Sequence, residues 1–175
     1  NSRLQTGFSV AVENVGPTAT DIQTANVGAT VGRIELGDTI TYTFSEIIDP
    51  QSILANWTGA STSVVVRFTN VANSDTYQVW NGANTTLLNL GTVNTKGNYV
   101  TAATTAGVGA TSSTMVLNTA TNKITITLGT IAGTLATDAA NRTAAWTPVN
   151  TAFDRAGNAM STTLVNETGA ADPDF

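Results

Sequence analysis

From residue 39 to 45 apolar and polar positions alternate without a break. Ile40, Tyr42 and Phe44 fall on one side, and Thr39, Thr41, Thr43 and Ser45 on the other. A period of two predicts a strand with one buried and one wet face, and β-branched and aromatic residues suit such a surface. Lys123-Ile124-Thr125-Ile126-Thr127-Leu128 repeats the pattern. Residues 62–69, 76–80, 87–93, 115–117 and 161–166 read as further strands, and residues 19–27 as a weaker one. Asn81-Gly82 predicts a tight hairpin. Asp49-Pro50 predicts one helical turn, with Asp49 as N-cap and Pro50 in the first position. Residues 97–114 hold few large side chains and predict a long surface loop with one short strand at 99–101; residues 129–142 predict a second small-residue loop. Trp146, Val149 and Phe153 are apolar anchors near the far end. Many short strands, with turn signals every ~8–12 residues, imply an antiparallel β-sandwich.

Composition narrows the chemistry. The 175 residues amount to one domain, or one domain with an added arm. Cysteine and histidine are both absent, which removes disulfides, thiol nucleophiles, the usual general base near neutral pH and the commonest zinc ligand. Only 11% of residues are charged and the net charge is −5, with five Arg and two Lys scattered along the chain. Such a chain is a poor match for nucleic acid, because nothing would neutralise the phosphates. No apolar run approaches the ~20 residues of a membrane helix. A surface of Thr, Ser and Asn suits a secreted all-β protein. A start at Asn1 fits a leader removed on export, as it equally fits a cloned fragment.

Two motifs carry a resemblance. Gly37-Asp38-Thr39-Ile40-Thr41-Tyr42-Thr43-Phe44-Ser45-Glu46, followed by Asp49-Pro50, resembles the early strand of bacterial Ig-like domains. Asp154-Arg155-Ala156-Gly157-Asn158-Ala159 is similar to the turn before their last strand. The resemblance implies an Ig-like antiparallel β-sandwich over residues 17–175, in a spacer, stalk or adhesive segment at the cell surface or in a secreted protein, and no enzyme activity. Such modules are nearer ~100 residues, so the extra length is expected as enlarged middle loops between Asn56 and Thr114. Residues 1–16 form an N-terminal arm whose strand, over residues 7–15, carries Phe8, Val10 and Val12 on one face. That strand either folds back on its own sheet or adds to a neighbour's, and the second option repeated head to tail makes a filament.

Candidate chemistry is sparse. Glu46, Asp49, Asp154 and Asn158 read first as acceptors for loose backbone N–H groups at turns, with Gly157 supplying a positive φ. The sharper reading is a calcium ion held between the two motifs by the same four residues, the only cofactor the sequence suggests. The resemblance to surface Ig-like domains also implies the option of an internal Lys–Asn amide bond, which would use Lys123 with Asn158 or Asn166 and Glu46 as the assisting acid. Trp57, Trp80 and Trp146 would supply aromatic faces if the chain were a carbohydrate-binding or accessory module of an extracellular enzyme, with Trp80 at a hairpin tip. The twelve acids are dispersed, no Gly-x-Ser-x-Gly elbow exists, and Gly107-Val108-Gly109 lacks the helix a phosphate loop needs. The expected partners are a second copy of the chain, neighbouring surface domains or glycans.

Overall fold

The structure, a computed structural model, describes residues 13–175. It is antiparallel and all-β, with one helical turn. The elements are β1 (Ala19–Ala25), β2 (Thr39–Phe44), α1 (Pro50–Ile53), β3 (Thr62–Thr69), β4 (Thr76–Asn81), β5 (Thr92–Asn94), β6 (Thr104–Ala106), β7 (Ser113–Asn118), β8 (Lys123–Thr127), β9 (Ile131–Ala132), β10 (Ala145–Thr147) and β11 (Val165–Asn166). Hydrogen-bonded neighbours run β1-β2-β8-β7-β3-β4-β5-β10-β11, with β6 joining β3 to β9. The two ends of this path, β1 and β11, come back beside one another, so the sheet is nearly closed.

The alternation at β2 sets the inside. Ile40 and Tyr42 are wholly buried and Phe44 nearly so, while Thr39, Thr41 and Thr43 are half-exposed. In register with them, Ile126 lies opposite Ile40 and Ile124 opposite Tyr42 on β8. Tyr42 and Phe44 then meet the indole of Trp146 edge-on, with ring centroids 4.9 and 5.3 Å apart. Since β2 and β10 are not neighbours in the sheet, this contact joins its two halves across the core. Edge-on pairs of this kind add about 0.5–1.5 kcal/mol each to what burial gives.

Several expectations need correction. Residues 97–114 are not a surface loop: Tyr99, Val100 and Ala106 are wholly buried. The section carries β6 rather than a strand at 99–101, and Val100 makes only an isolated bridge to Leu135. What holds it inward is Asp75, itself buried, which accepts hydrogen bonds from the backbone N–H groups of Val71, Tyr99 and Val100 at 2.7–2.9 Å. Asn81-Gly82 does not make a two-residue turn. The Asn81 side chain accepts from the N–H groups of Thr85 and Thr86, and Asn84, not Gly82, takes the positive φ. Residues 129–142 include the short strand β9, and only Val165–Asn166 of the expected last strand is laddered. The helical turn is as expected, with the Asp49 carboxylate accepting from Gln51 N–H ahead of Pro50.

Replacing Asp75 by Ala removes the acceptor of three backbone N–H groups in a dry setting. We expect a loss of about 3–5 kcal/mol of unfolding free energy in denaturant melts followed by Trp fluorescence. A loss below about 1 kcal/mol would mean that water reaches those groups.

Candidate functional site

The two sequence motifs meet at one end of the sandwich. Ile48 bridges to Asp154, and Asp49 N–H donates to Phe153 O at 2.8 Å. Between them lies an open cleft of about 460 Å³ lined by Glu13, Ser45, Glu46, Ile47, Asn122, Asp154, Arg155 and Ala156. Glu46 and Asp154 therefore face a common space. Burial, then the charges of Glu13 and Asp154, push the Glu46 carboxyl up from its ordinary range. Asp154 goes the other way: partial burial would raise it, but hydrogen bonds from the Asn158 side chain and from the backbone N–H groups of its own turn outweigh that and hold it low. Gly157 has the positive φ the turn requires, 89°.

These four residues share a locality without forming a cage. Asn158 is folded onto Asp154, with its amide donating to one carboxylate oxygen at 2.8 Å. Its second amide contact is to Glu13 O at 3.2 Å, at the base of the arm. Asp49 is engaged in capping its helical turn. Phe8, Val10 and Val12 lie outside the described residues. Lys123 is exposed at the start of β8, opposite Thr43 and Asn118, and its side chain has no hydrogen bond to Asn158 or Glu46.

The three indoles are occupied. Trp146 is wholly buried and donates to Leu90 O at 2.6 Å; Trp57 is buried and donates to Ala60 O at 2.6 Å. Trp80 is half-buried, and the Arg67 guanidinium lies 3.5 Å above its ring, steered there by two hydrogen bonds to Asn84. Trp57 and Trp146 are thus packed inside, and one face of Trp80 is taken by Arg67.

A second cluster forms where the sheet nearly closes. Glu167, Asp172 and Asp174 bring carboxylate oxygens within 4.8 Å of one another, and among the described residues no other group of three acids does so. Glu167 accepts from Ala144 N–H through one oxygen, and Asp174 accepts from the Thr24 hydroxyl through one of its own. The remaining oxygen of each is buried without a partner. Burial, together with the neighbouring acids, pushes Glu167 up to about 7 and Asp174 up to about 6. Burial raises the hydroxyls of Tyr77 and Tyr99, and the Asp174 charge raises both further, offset in part at Tyr99 by the Asp174 backbone and the Arg142 charge.

In sequence this segment reads only as acidic, with Asp172 and Asp174 either side of Pro173. The signal in it was Phe175, a large aromatic after Asp-Pro-Asp. Its ring lies 5.5–6.4 Å from those of Phe68, Tyr77 and Tyr99, deep in the core, and it drags Asp174 inside with it.

In comparisons with known proteins, no family model, no curated protein and no solved structure matches the chain. Among the described residues no helix is long and apolar enough to cross a membrane.

Beside the closure, Asp138 ties three loops together. It accepts from Asn98 N–H, Ala140 N–H and the Arg142 guanidinium at 2.8–3.1 Å, while its own N–H donates to Gly32 O. Burial alone would raise its carboxyl, but these donors outweigh it and hold it below the ordinary aspartate value. A depressed folded pKa adds stability above the unfolded pKa of about 3.9, and that stability is lost as pH falls through the folded value. The stability advantage of the native chain over Asp138→Asn should thus shrink as pH falls from about 5 to below 4. Urea melts across that range check it; a gap unchanged down to about pH 2.5 would assign the effect to packing instead.

Proposed function

We propose that the chain is a structural module of a secreted or cell-surface protein of bacterial Ig-like type. It would act as a spacer or adhesive segment, and assemble with copies of itself where the arm of one copy adds to the sheet of the next. The observation that carries this reading is how the polar side chains are used. Asp38 accepts from the N–H groups of Val27, Gly28 and Glu35, Asp75 from three more, Asp154 from its own turn, and two indoles from Trp57 and Trp146 donate to loop carbonyls. Groups that an enzyme would present to a substrate here fasten long loops to a rigid core. That suits a module whose task is to hold its shape between other parts.

The arm's exit supports the assembly part. Residues 16–18 are tied down on both sides, with Ser161 N–H donating to Pro17 O and Ser45 N–H to Thr18 O, while Val15 is 68% exposed. The described chain therefore begins, at Glu13, beside the end cleft that Glu13 helps to line. The alternative, a glycan-binding accessory module, has less to stand on. It would rely on the groove of about 530 Å³ between α1 and the loop after β4, lined by Gln51, Leu54, Asn81, Leu87 and Asn89. There the Asn89 amide is already committed to Ser52 O.

The test compares the full chain with one lacking residues 1–15. We expect the full chain to gain mass with concentration in light scattering and to form filaments under the electron microscope. The shortened chain should stay monomeric with an unchanged melting temperature. A monomeric full chain at millimolar concentration, or a shortened chain that unfolds, would reject the donated strand; Trp quenching by added glycans would favour the alternative.

A further inference from the structure

The closure between β1 and β10–β11 is made without a strand ladder. Thr168 N–H donates to an Asp21 carboxylate oxygen at 2.9 Å, and the Gln23 amide donates to Thr168 O at 2.8 Å. Arg142 N–H donates to Asp172 O at 2.7 Å on the far side. Between these ties sit three carboxylates, and among the described residues no Lys or Arg side chain hydrogen-bonds to any of them. The Arg142 guanidinium bonds to Asp138 instead, and its charge favours ionised Asp174 only enough to offset part of the burial.

Two buried carboxylate oxygens left without a donor, Glu167 Oε1 and Asp174 Oδ2, stand apart from the rest of the molecule. Elsewhere, buried aspartates such as Asp38 and Asp75 have both oxygens engaged by backbone N–H groups. A buried carboxylate oxygen without a donor is unfavourable, and two of them beside a third acid are more so. A cation between them removes the penalty. Oxygens bound to one calcium ion at 2.3–2.6 Å lie at most about 5 Å apart, and the cluster meets that limit. All the donors are hard oxygens and the chain has no His or Cys, which disfavours zinc and copper.

We propose that Glu167, Asp172 and Asp174 bind one calcium ion that locks the last segment of the chain across the closure of the sheet. Asp172, exposed at the rim, is the entry ligand, and Glu167 and Asp174 are the buried ones. The ion would fasten the segment that carries Phe175 into the core. This site stands independently of the structural role proposed above, since it rests on the closure alone.

The experiment titrates calcium into the metal-stripped full chain at neutral pH, by calorimetry and by thermal melting. We expect one site with Kd at or below about 10⁻³ M, in the range of extracellular calcium modules. At a hundredfold excess over Kd the melting temperature should rise by about 5–10 °C. Terbium, excited through the nearby tyrosines, should give an emission that calcium displaces. Asp172→Asn should weaken binding at least tenfold and abolish the melting shift, while the metal-free melting temperature holds or rises, because the side chain is at the rim and its charge no longer opposes the two buried acids. Glu46→Gln should leave calcium binding intact. No heat and no shift up to about 10 mM calcium, binding that survives in Asp172→Asn combined with Glu167→Gln, or binding lost in Glu46→Gln would each overturn the site.

Discussion

The fold depends on side-chain carboxylates standing in for missing partners of the backbone. Its strands are short: of the eleven among the described residues, five span only two or three residues. Long stretches of chain therefore cross or enter the core without a ladder. A buried N–H with no acceptor costs about 1–3 kcal/mol, so each such stretch needs an acceptor supplied from elsewhere. Asp38 and Asp75 meet that need for three N–H groups apiece, both from wholly buried positions. Asp154 and Asp138 do the same at turns nearer the surface. In a chain where only 11% of residues are charged, a large part of the acidic complement holds backbone. The low charge content and the ordered loops are two sides of one arrangement.

Because those loops are pinned, the core can be made from pieces far apart in sequence. Tyr42 and Phe44 of β2 reach Trp146 of β10, and Phe68, Tyr77 and Tyr99 gather around Phe175. The two aromatic groups belong to one continuous set of buried side chains running from Ile22 to Phe175. Tyr99 joins it only because Asp75 draws residues 99 and 100 inward. Packing and backbone capping are thus coupled.

What the sequence revealed follows from the same physics. Period-two alternation is a local signal, so β2, β3, β4 and β8 were legible to within a residue or two, as was the helical turn at Asp49-Pro50. Residues 97–114 were misread because small side chains and glycines look like a surface loop. The group that buries them, Asp75, sits in the preceding turn and looks like ordinary turn chemistry. At Asn81-Gly82 the dipeptide signal was overridden by the Asn81 side chain, which organises a wider loop through Thr85 and Thr86. Of the four residues singled out near the two motifs, all come to one end of the sandwich. Asp49 and Asp154 accept from backbone N–H groups of their own turns, a role that needs only neighbours in sequence, whereas the Asn158 side chain donates to Asp154 and to Glu13 O. The cluster at Glu167, Asp172 and Asp174 was not readable as a site. Its members draw on Thr24 and Ala144, which lie far away along the chain.

The contrast between these acids identifies what kind of place the closure is. A carboxylate that caps backbone has its oxygens filled by donors in the folded chain, as Asp75 does with three N–H groups. Glu167 and Asp174 each have one oxygen filled in that way and one buried without a donor, and together with the rim acid Asp172 they bring carboxylate oxygens within 4.8 Å of one another. The filled oxygens hold the two side chains in place. The arrangement is rigid, negatively charged and incomplete. It also lies at the point where β1 and β11 come together without a ladder, tied only through Asp21, Gln23 and Thr168. A sheet that stops just short of closing leaves its last segment to be held by side chains. How firmly that segment, and with it Phe175, stays in the core then depends on what balances those two oxygens.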